Sequence, residues 1–327
     1  RPPTIIHAMD KEKQAFEKIP GEAILLITAI IWGTGFVSQR KAMEGMQPFA
    51  FIALRFLLGC LVLLPLILFH WKKADHQDQT HAKRHQAILD IILPSFACGS
   101  LLFLGTMFQQ FGIISTTASK AGFITSLYLV LVPLFGFFWG KKVNLWVWLG
   151  VFLALLGVYF LSFDLDVSEH KGDLYLLTGA LFWAFQILTV DYFSTKTDNL
   201  YLAFGQFAVT AVFGFVAVFF KESLPLIKKS SAIPPLVYSG IVAVGIAFTL
   251  QIFGQRRVNP ALASLIMGLE AVFAVIGGML FLGERLTSRE WLGCAIMLAA
   301  VLLVQLKGQQ KKDLSLSHPS NASQSKR

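Results

Sequence analysis

Apolar residues fall into ten long runs, at about 22–38, 49–69, 88–111, 118–139, 145–163, 174–192, 200–220, 235–253, 261–282 and 291–306, with short polar segments between them. A helix needs about 20 residues to cross the hydrocarbon layer. The runs are continuous and do not alternate apolar with polar, as barrel strands do. The pattern predicts an all-α polytopic membrane protein of ten transmembrane helices.

The runs repeat. Trp148-Leu149-Gly150 matches Trp291-Leu292-Gly293, and Gly140 then falls on Gly283. Phe111-Gly112 pairs with Phe253-Gly254, and Gln109 with Gln251, after a one-residue gap. Gly21-Glu22 with Trp32 pairs with Gly172-Asp173 with Trp183. Each half holds five spans, and an odd number makes the second half enter from the opposite side. Two inverted five-helix repeats are a transporter architecture, with the substrate site between the halves near the midplane. The expected organisation is a cytoplasmic tail over 1–21, repeats over 22–163 and 172–306, and a disordered cytoplasmic tail over 307–327.

Composition agrees. The 327 residues are 55% hydrophobic and 14% charged, with a mean hydropathy of +0.63, against about 25% charged in ordinary soluble domains. The net charge of +9 sits in tails and loops, not in a basic folded domain, so nucleic acid is not an expected partner. Lys and Arg are about twice as frequent on one side of the predicted spans as on the other, which places both termini in the cytoplasm. Lys221, Lys228 and Lys229 dissent. Cys60, Cys98 and Cys294 each stand alone in an apolar run and read as packing; no metal spacing is present. All seven histidines fall outside the spans, four of them between spans two and three. No cofactor is expected.

Together these residues resemble the EamA-type members of the drug/metabolite transporter superfamily, over about 21–306. The resemblance rests on Leu282-Gly283-Glu284-Arg285-Leu286 before Trp291-Leu292-Gly293, the 264–273 run with Glu270, Trp32-Gly33, Leu54-Arg55-Phe56, and the 117–123 run. It implies ten helices in two inverted repeats and movement of small metabolites across the bacterial inner membrane, often outward. Family members often carry a proline after the position of Glu270. Ala271 stands there here, which puts the kink that proline gives in doubt.

The candidate site residues are the polar groups inside the runs. Ala263, Met267, Glu270, Ala274 and Gly277 share one helical face. Small residues on that face predict close helix packing, with Glu270 directed into the bundle. An acid at that depth is a functional hypothesis by default, here a proton carrier; the alternative is an interhelical hydrogen bond. Arg55, with Gln206 at its repeat-related position, reads as a cavity donor for a carboxylate or as a structural lock. Lys120 either reaches the interface, contacts substrate or pairs with an acid. Trp32, Gln109, Tyr128, Trp183, Gln186 and Gln251 could line a cavity, with packing as the plainer reading. Gly136 and Gly140 read as a helix-packing step.

The function expected is secondary transport of small organic metabolites, such as amino acids, by alternating access. The export direction comes from the resemblance. The rivals are a membrane-embedded enzyme and a non-transporting receptor. The spans show no acid–base cluster for the first, and the chain has no soluble signalling domain for the second. Its partners are then the bilayer and a small-molecule substrate, and one chain holding both halves can work as a monomer.

Overall fold

The computed structural model describes residues 19–75, 81–116, 118–141, 143–162, 170–283 and 287–317. The first half holds α1 (Gly21–Ala42), α2 (Pro48–Asp75), α3 (His81–Ile113), α4 (Ala118–Thr125), α5 (Tyr128–Phe138) and α6 (Leu145–Ser162). The second holds α7 (His170–Ser194), α8 (Asn199–Lys221), α9 (Ile233–Val237), a π-type stretch (Tyr238–Phe248), α10 (Thr249–Gln255), α11 (Pro260–Met267), α12 (Glu270–Leu282) and α13 (Ser288–Ser317). Among the described residues, eight spans are long and apolar enough to cross a membrane, and two shorter apolar ones lie in α6 and α13. These are the ten predicted.

Large apolar side chains point outward all round the bundle; Phe219 is 82% exposed and Phe138 74%. In water this surface would drive association. Facing hydrocarbon, it is the ordinary outer surface of an integral membrane protein.

The packing follows the repeat. The third span (α3) lies on the sixth (α7), and the eighth (α9 to α10) on the first (α1). The second and seventh (α2, α8) and the fifth and tenth (α6, α13) pair directly. Corresponding glycines make the same approaches. A Cβ on Gly112 would meet Leu176 at 2.5 Å and the Gly172 carbonyl at 3.0 Å. One on Gly254 would meet Leu25 at 2.8 Å and the Gly21 carbonyl at 3.3 Å. The register that pairs Trp32 with Trp183 pairs Leu25 with Leu176 and Gly21 with Gly172. Gly140 and Gly283 also match, with φ of 77° and 70°, a left-handed turn that glycine adopts without strain.

Two predicted helices break at mid-membrane. The fourth span divides between α4 and α5, the ninth between α11 and α12, at repeat-equivalent places. The Leu127, Leu129, Leu269 and Ala271 amides bond three residues back instead of four, which tightens the turn. The ninth-span break falls at Gly268-Leu269, immediately before Glu270. Ala271 does not prevent it. The π-type stretch has a matching origin. Gly99 faces the Gln206 carbonyl as Gly240 faces that of Arg55, yet Gly240 to Gln251 is one residue longer than Gly99 to Gln109. Wider turns absorb the extra residue.

Several expected boundaries move. α1 runs through Arg40 and Lys41, which were expected in a loop. Most of the polar 70–86 segment is helical, as is the tail through Ser317. The eighth span starts near Ile233, before Pro235. Gly136 and Gly140 are not a packing step: Gly136 meets only Lys141 and Leu188 at 3.9 Å or more, and Gly140 lies past the helix end with nothing within 4 Å. Residues 1–18, 284–286 and 318–327 lie outside the described residues, and the seven histidine side chains lie outside the described side chains.

Candidate functional site

Between the halves lies a narrow cavity of about 30 Å³. Both repeats line it: Trp32 and Gln39 from α1, Arg55 from α2, Gln109 from α3, Tyr128 from α5, Trp183 from α7, Phe248 and Gln251 from the eighth span, and Glu270 from α12. Helical spacing gathers them. Trp32, Phe36 and Gln39 are four and three residues apart and share one face of α1. The breaks in the fourth and ninth spans place Tyr128 and Glu270 at the starts of α5 and α12.

Aromatic rings form the apolar side. Phe248 lies 4.6 Å from Trp32 and 5.7 Å from Trp183, centroid to centroid. Behind it, Phe56 and Phe207 lie 6.0 Å and 6.3 Å away. Trp32 with Trp183, and Phe56 with Phe207, are repeat-related pairs, so the cluster sits on the pseudo-two-fold axis. The Trp32 indole N–H donates to the Ala243 carbonyl at 3.3 Å.

Glutamines form the polar side in two chains. Trp183 Nε1 donates to Gln109 Oε1 at 2.8 Å, and Gln109 Nε2 to Gln39 Oε1 at 3.1 Å. Gln251 Nε2 donates to Gln186 Oε1 at 3.1 Å, and Gln186 Nε2 to Gln206 Oε1 at 3.3 Å. Buried amides that donate and accept in series hold one another in a single orientation.

The two charged side chains of the lining remain unmatched. Arg55 is 4% exposed, and its Nε has no hydrogen-bond partner. Its guanidinium lies 5.0 Å and 5.2 Å from the Phe51 and Phe56 ring centroids, so its fixed company is aromatic. Glu270 is 3% exposed, and its Oε1 is likewise unpartnered. The Tyr128 hydroxyl lies near enough to interact with that carboxylate, without a formed hydrogen bond. Among the described residues no ion pair joins Arg55 to Glu270.

Of the ten predicted site residues, Trp32, Arg55, Gln109, Tyr128, Trp183, Gln251 and Glu270 line the cavity. Gln186 and Gln206 stand behind Gln251 in its chain. Lys120 is elsewhere: its ammonium pairs with Asp173 of α7 at 3.0 Å, across the repeat boundary. The close-packed face is as expected, with Ala263, Met267 and Ala274 fully buried, and a Cβ on Gly33 of α1 would overlap Phe273 and Ala274. Gln39, Thr106, Thr125 and Phe248 also line it and were not singled out in the sequence. Gln39 was recoverable, two turns after Trp32 on the same face; Phe248 looks like any other phenylalanine of an apolar run.

The model of the EamA-like transporter family matches the chain twice, over residues 19–163 and 170–306. An uncharacterized transporter of Archaeoglobus fulgidus is 33% identical over 286 residues, covering 86% of this chain and 85% of that one. The uncharacterized inner membrane transporter YedA of Escherichia coli K12 is 24% identical over 289 residues, covering 88% and 91%. A solved crystal structure superposes with a TM-score of 0.71 at 18% identity, over 89% of this chain and 98% of that one, which speaks to the fold alone. With one match on each half and the ten-span fold between them, the chain belongs to the EamA-like transporter family, of the drug/metabolite transporter type.

Proposed function

We propose that the chain is a secondary carrier that exports small organic metabolites bearing a carboxylate, amino acids among them, across a bacterial inner membrane by alternating access. The observation that carries this reading is the pair of buried, unpaired charges, Arg55 and Glu270, in one cavity between the halves. An unpaired buried charge is costly, and a ligand that completes it recovers part of that cost. A guanidinium accepts a carboxylate through two parallel bonds. Glu270 takes either a proton or the ammonium of a zwitterion, and competition between the two couples substrate to protons. The aromatic cluster receives the apolar part of the substrate. Transport so described needs no covalent chemistry, cofactor or second subunit.

The test is transport in proteoliposomes against a panel of amino acids and other carboxylates, with and without an imposed pH gradient. Gradient-stimulated movement is expected in wild type. Glu270→Gln loses the stimulation and Arg55→Ala loses the carboxylated substrates. Equal movement of those substrates by Arg55→Ala and wild type rules out the anion role. Movement indifferent to both gradient and Glu270→Gln makes the protein a uniporter with a structural Glu270.

A further inference from the structure

Call the end of the bundle where α1 finishes the distal end. There, behind α1 and away from the central cavity, lies a second opening of about 410 Å³, lined by Thr34, Val37, Ser38, Lys41, Pro234, Pro235, Tyr238 and Phe281. α1 is the wall between the two spaces: Trp32, Phe36 and Gln39 face one, and Thr34, Val37 and Lys41 face the other. The hydroxyls of this crevice are already engaged. Tyr238 and Thr34 share a hydrogen bond of 2.7 Å, and Ser38 donates to the Pro235 carbonyl at 2.8 Å. Val37, the two prolines and Phe281 are apolar. Among the described residues Lys41 remains, exposed at the mouth, with one long contact of 3.5 Å to the Phe281 carbonyl.

The repeat shows that the opening is not a general property of the fold. The register of Trp32 and Trp183 places Phe185 where Thr34 stands and Tyr192 where Lys41 stands. The register of Gly140 and Gly283 places Phe135 where Gly278 stands and Trp139 where Leu282 stands. In the other half those rings fill the equivalent space. Phe135 stacks on Phe185 at 4.8 Å, and Trp139 lies 6.1 Å from Phe185. Tyr192 carries the ammonium of Lys196 over its ring at 3.5 Å. One half is plugged by its own aromatic side chains. In the other, small residues leave an apolar slot with a cation at its rim.

We infer that this crevice is a binding site for an anionic glycerophospholipid, with an acyl chain between α1, α9 and α12 and the headgroup phosphate on Lys41. The charge at the mouth and the apolar slot below it match the two ends of such a lipid, and the slot opens on the surface the bilayer covers. Snorkelling brings a lysine near a helix end to headgroup level. A soluble metabolite would gain nothing from the slot, because its hydroxyls are satisfied within the protein. Because α1 also lines the substrate cavity, the lipid bears on the helix that carries Trp32 and Gln39.

The test is native mass spectrometry of the purified full chain, with phosphatidylglycerol and phosphatidylcholine of equal chain length titrated against each other. One lysine near a membrane surface gives a preference of about fivefold for the anionic lipid. Wild type is expected to retain one phosphatidylglycerol with that preference. Lys41→Arg keeps it and Lys41→Gln removes it. Val37→Phe, which narrows the slot and leaves the charge, lowers retention of both lipids. Absence of a preference in wild type, or its persistence in Lys41→Gln, overturns the assignment. The readout is bound lipid, so it stands or falls independently of whether any solute is transported.

Discussion

Arg55 and the glutamines behind it are both buried and polar, yet they make opposite predictions. Arg55 has no hydrogen-bond or ion-pair partner among the described residues, so an apolar residue of similar length orphans nothing. Arg55→Met is expected to melt at or above the wild-type temperature, because a buried charge without a counter-charge costs more than it returns. Gln186 holds a donor from Gln251 and an acceptor on Gln206. Gln186→Leu orphans both groups, and each buried polar group left unmade costs about 1–3 kcal/mol. A melting temperature several degrees below wild type is the expected outcome. Thermal unfolding of the two variants in detergent distinguishes a polar group kept for a ligand from one kept for the fold. An Arg55→Met protein that melts well below wild type would make Arg55 the structural lock instead.

At the scale of elements, α2 depends on a cap that its own sequence does not carry. α2 starts at Pro48 without an acidic residue in its first turn. Its Phe49 and Ala50 amides donate to the two carboxylate oxygens of Glu222, at the far end of α8, at 2.7 Å and 2.8 Å. A carboxylate at a helix N-terminus satisfies orphan donors and meets the positive end of the dipole. Glu222→Ala is expected to cost about 1–2 kcal/mol, and Glu222→Gln less, since one oxygen remains to accept; melting curves of the pair check this. Asp198, by contrast, caps α8 from the adjacent position, as a local reading can anticipate. That contrast explains what was legible. The ten spans, their inverted halves and the small face of α12 are written in local periodicity. So are seven of the cavity residues, because polar groups in apolar runs stand out. The cap from Glu222 and the pairing of Lys120 with Asp173 depend on groups far away in sequence. The crevice was equally hidden, since it exists only because Thr34 and Gly278 stand where the other half has rings.

For the whole molecule the open question is which way the bundle stands in the membrane, since the repeat makes its two ends alike. Among the described side chains, the proximal loops carry Lys141, Lys196, Arg256 and Arg257; the distal ones carry Lys221, Lys228 and Lys229, with Arg40 and Lys41 at the end of α1, Lys171 at the start of α7 and Arg289 at the start of α13. Part of each set is engaged within the protein: Lys141 pairs with Asp191, and Arg40 donates to the Thr116 carbonyl. Counted over all loops and tails, the bias is about two to one for a cytoplasmic proximal end. The distal loops are also knitted together. The Lys228 amide donates to the Gly45 carbonyl at 2.8 Å, and Met46 bridges to Ile227. This ties the α1–α2 loop to the α8–α9 loop, so both report one face. Cysteine accessibility reads that face directly, because Cys60, Cys98 and Cys294 are buried and give a silent background. Glu44→Cys and Lys228→Cys are expected to react with a membrane-impermeant thiol reagent in intact cells. Lys196→Cys and Arg257→Cys are expected to react only after permeabilisation. The reverse pattern would turn the molecule over, place the Lys41 crevice in the cytoplasmic leaflet, and show that the distal lysines outweigh the tails in setting topology.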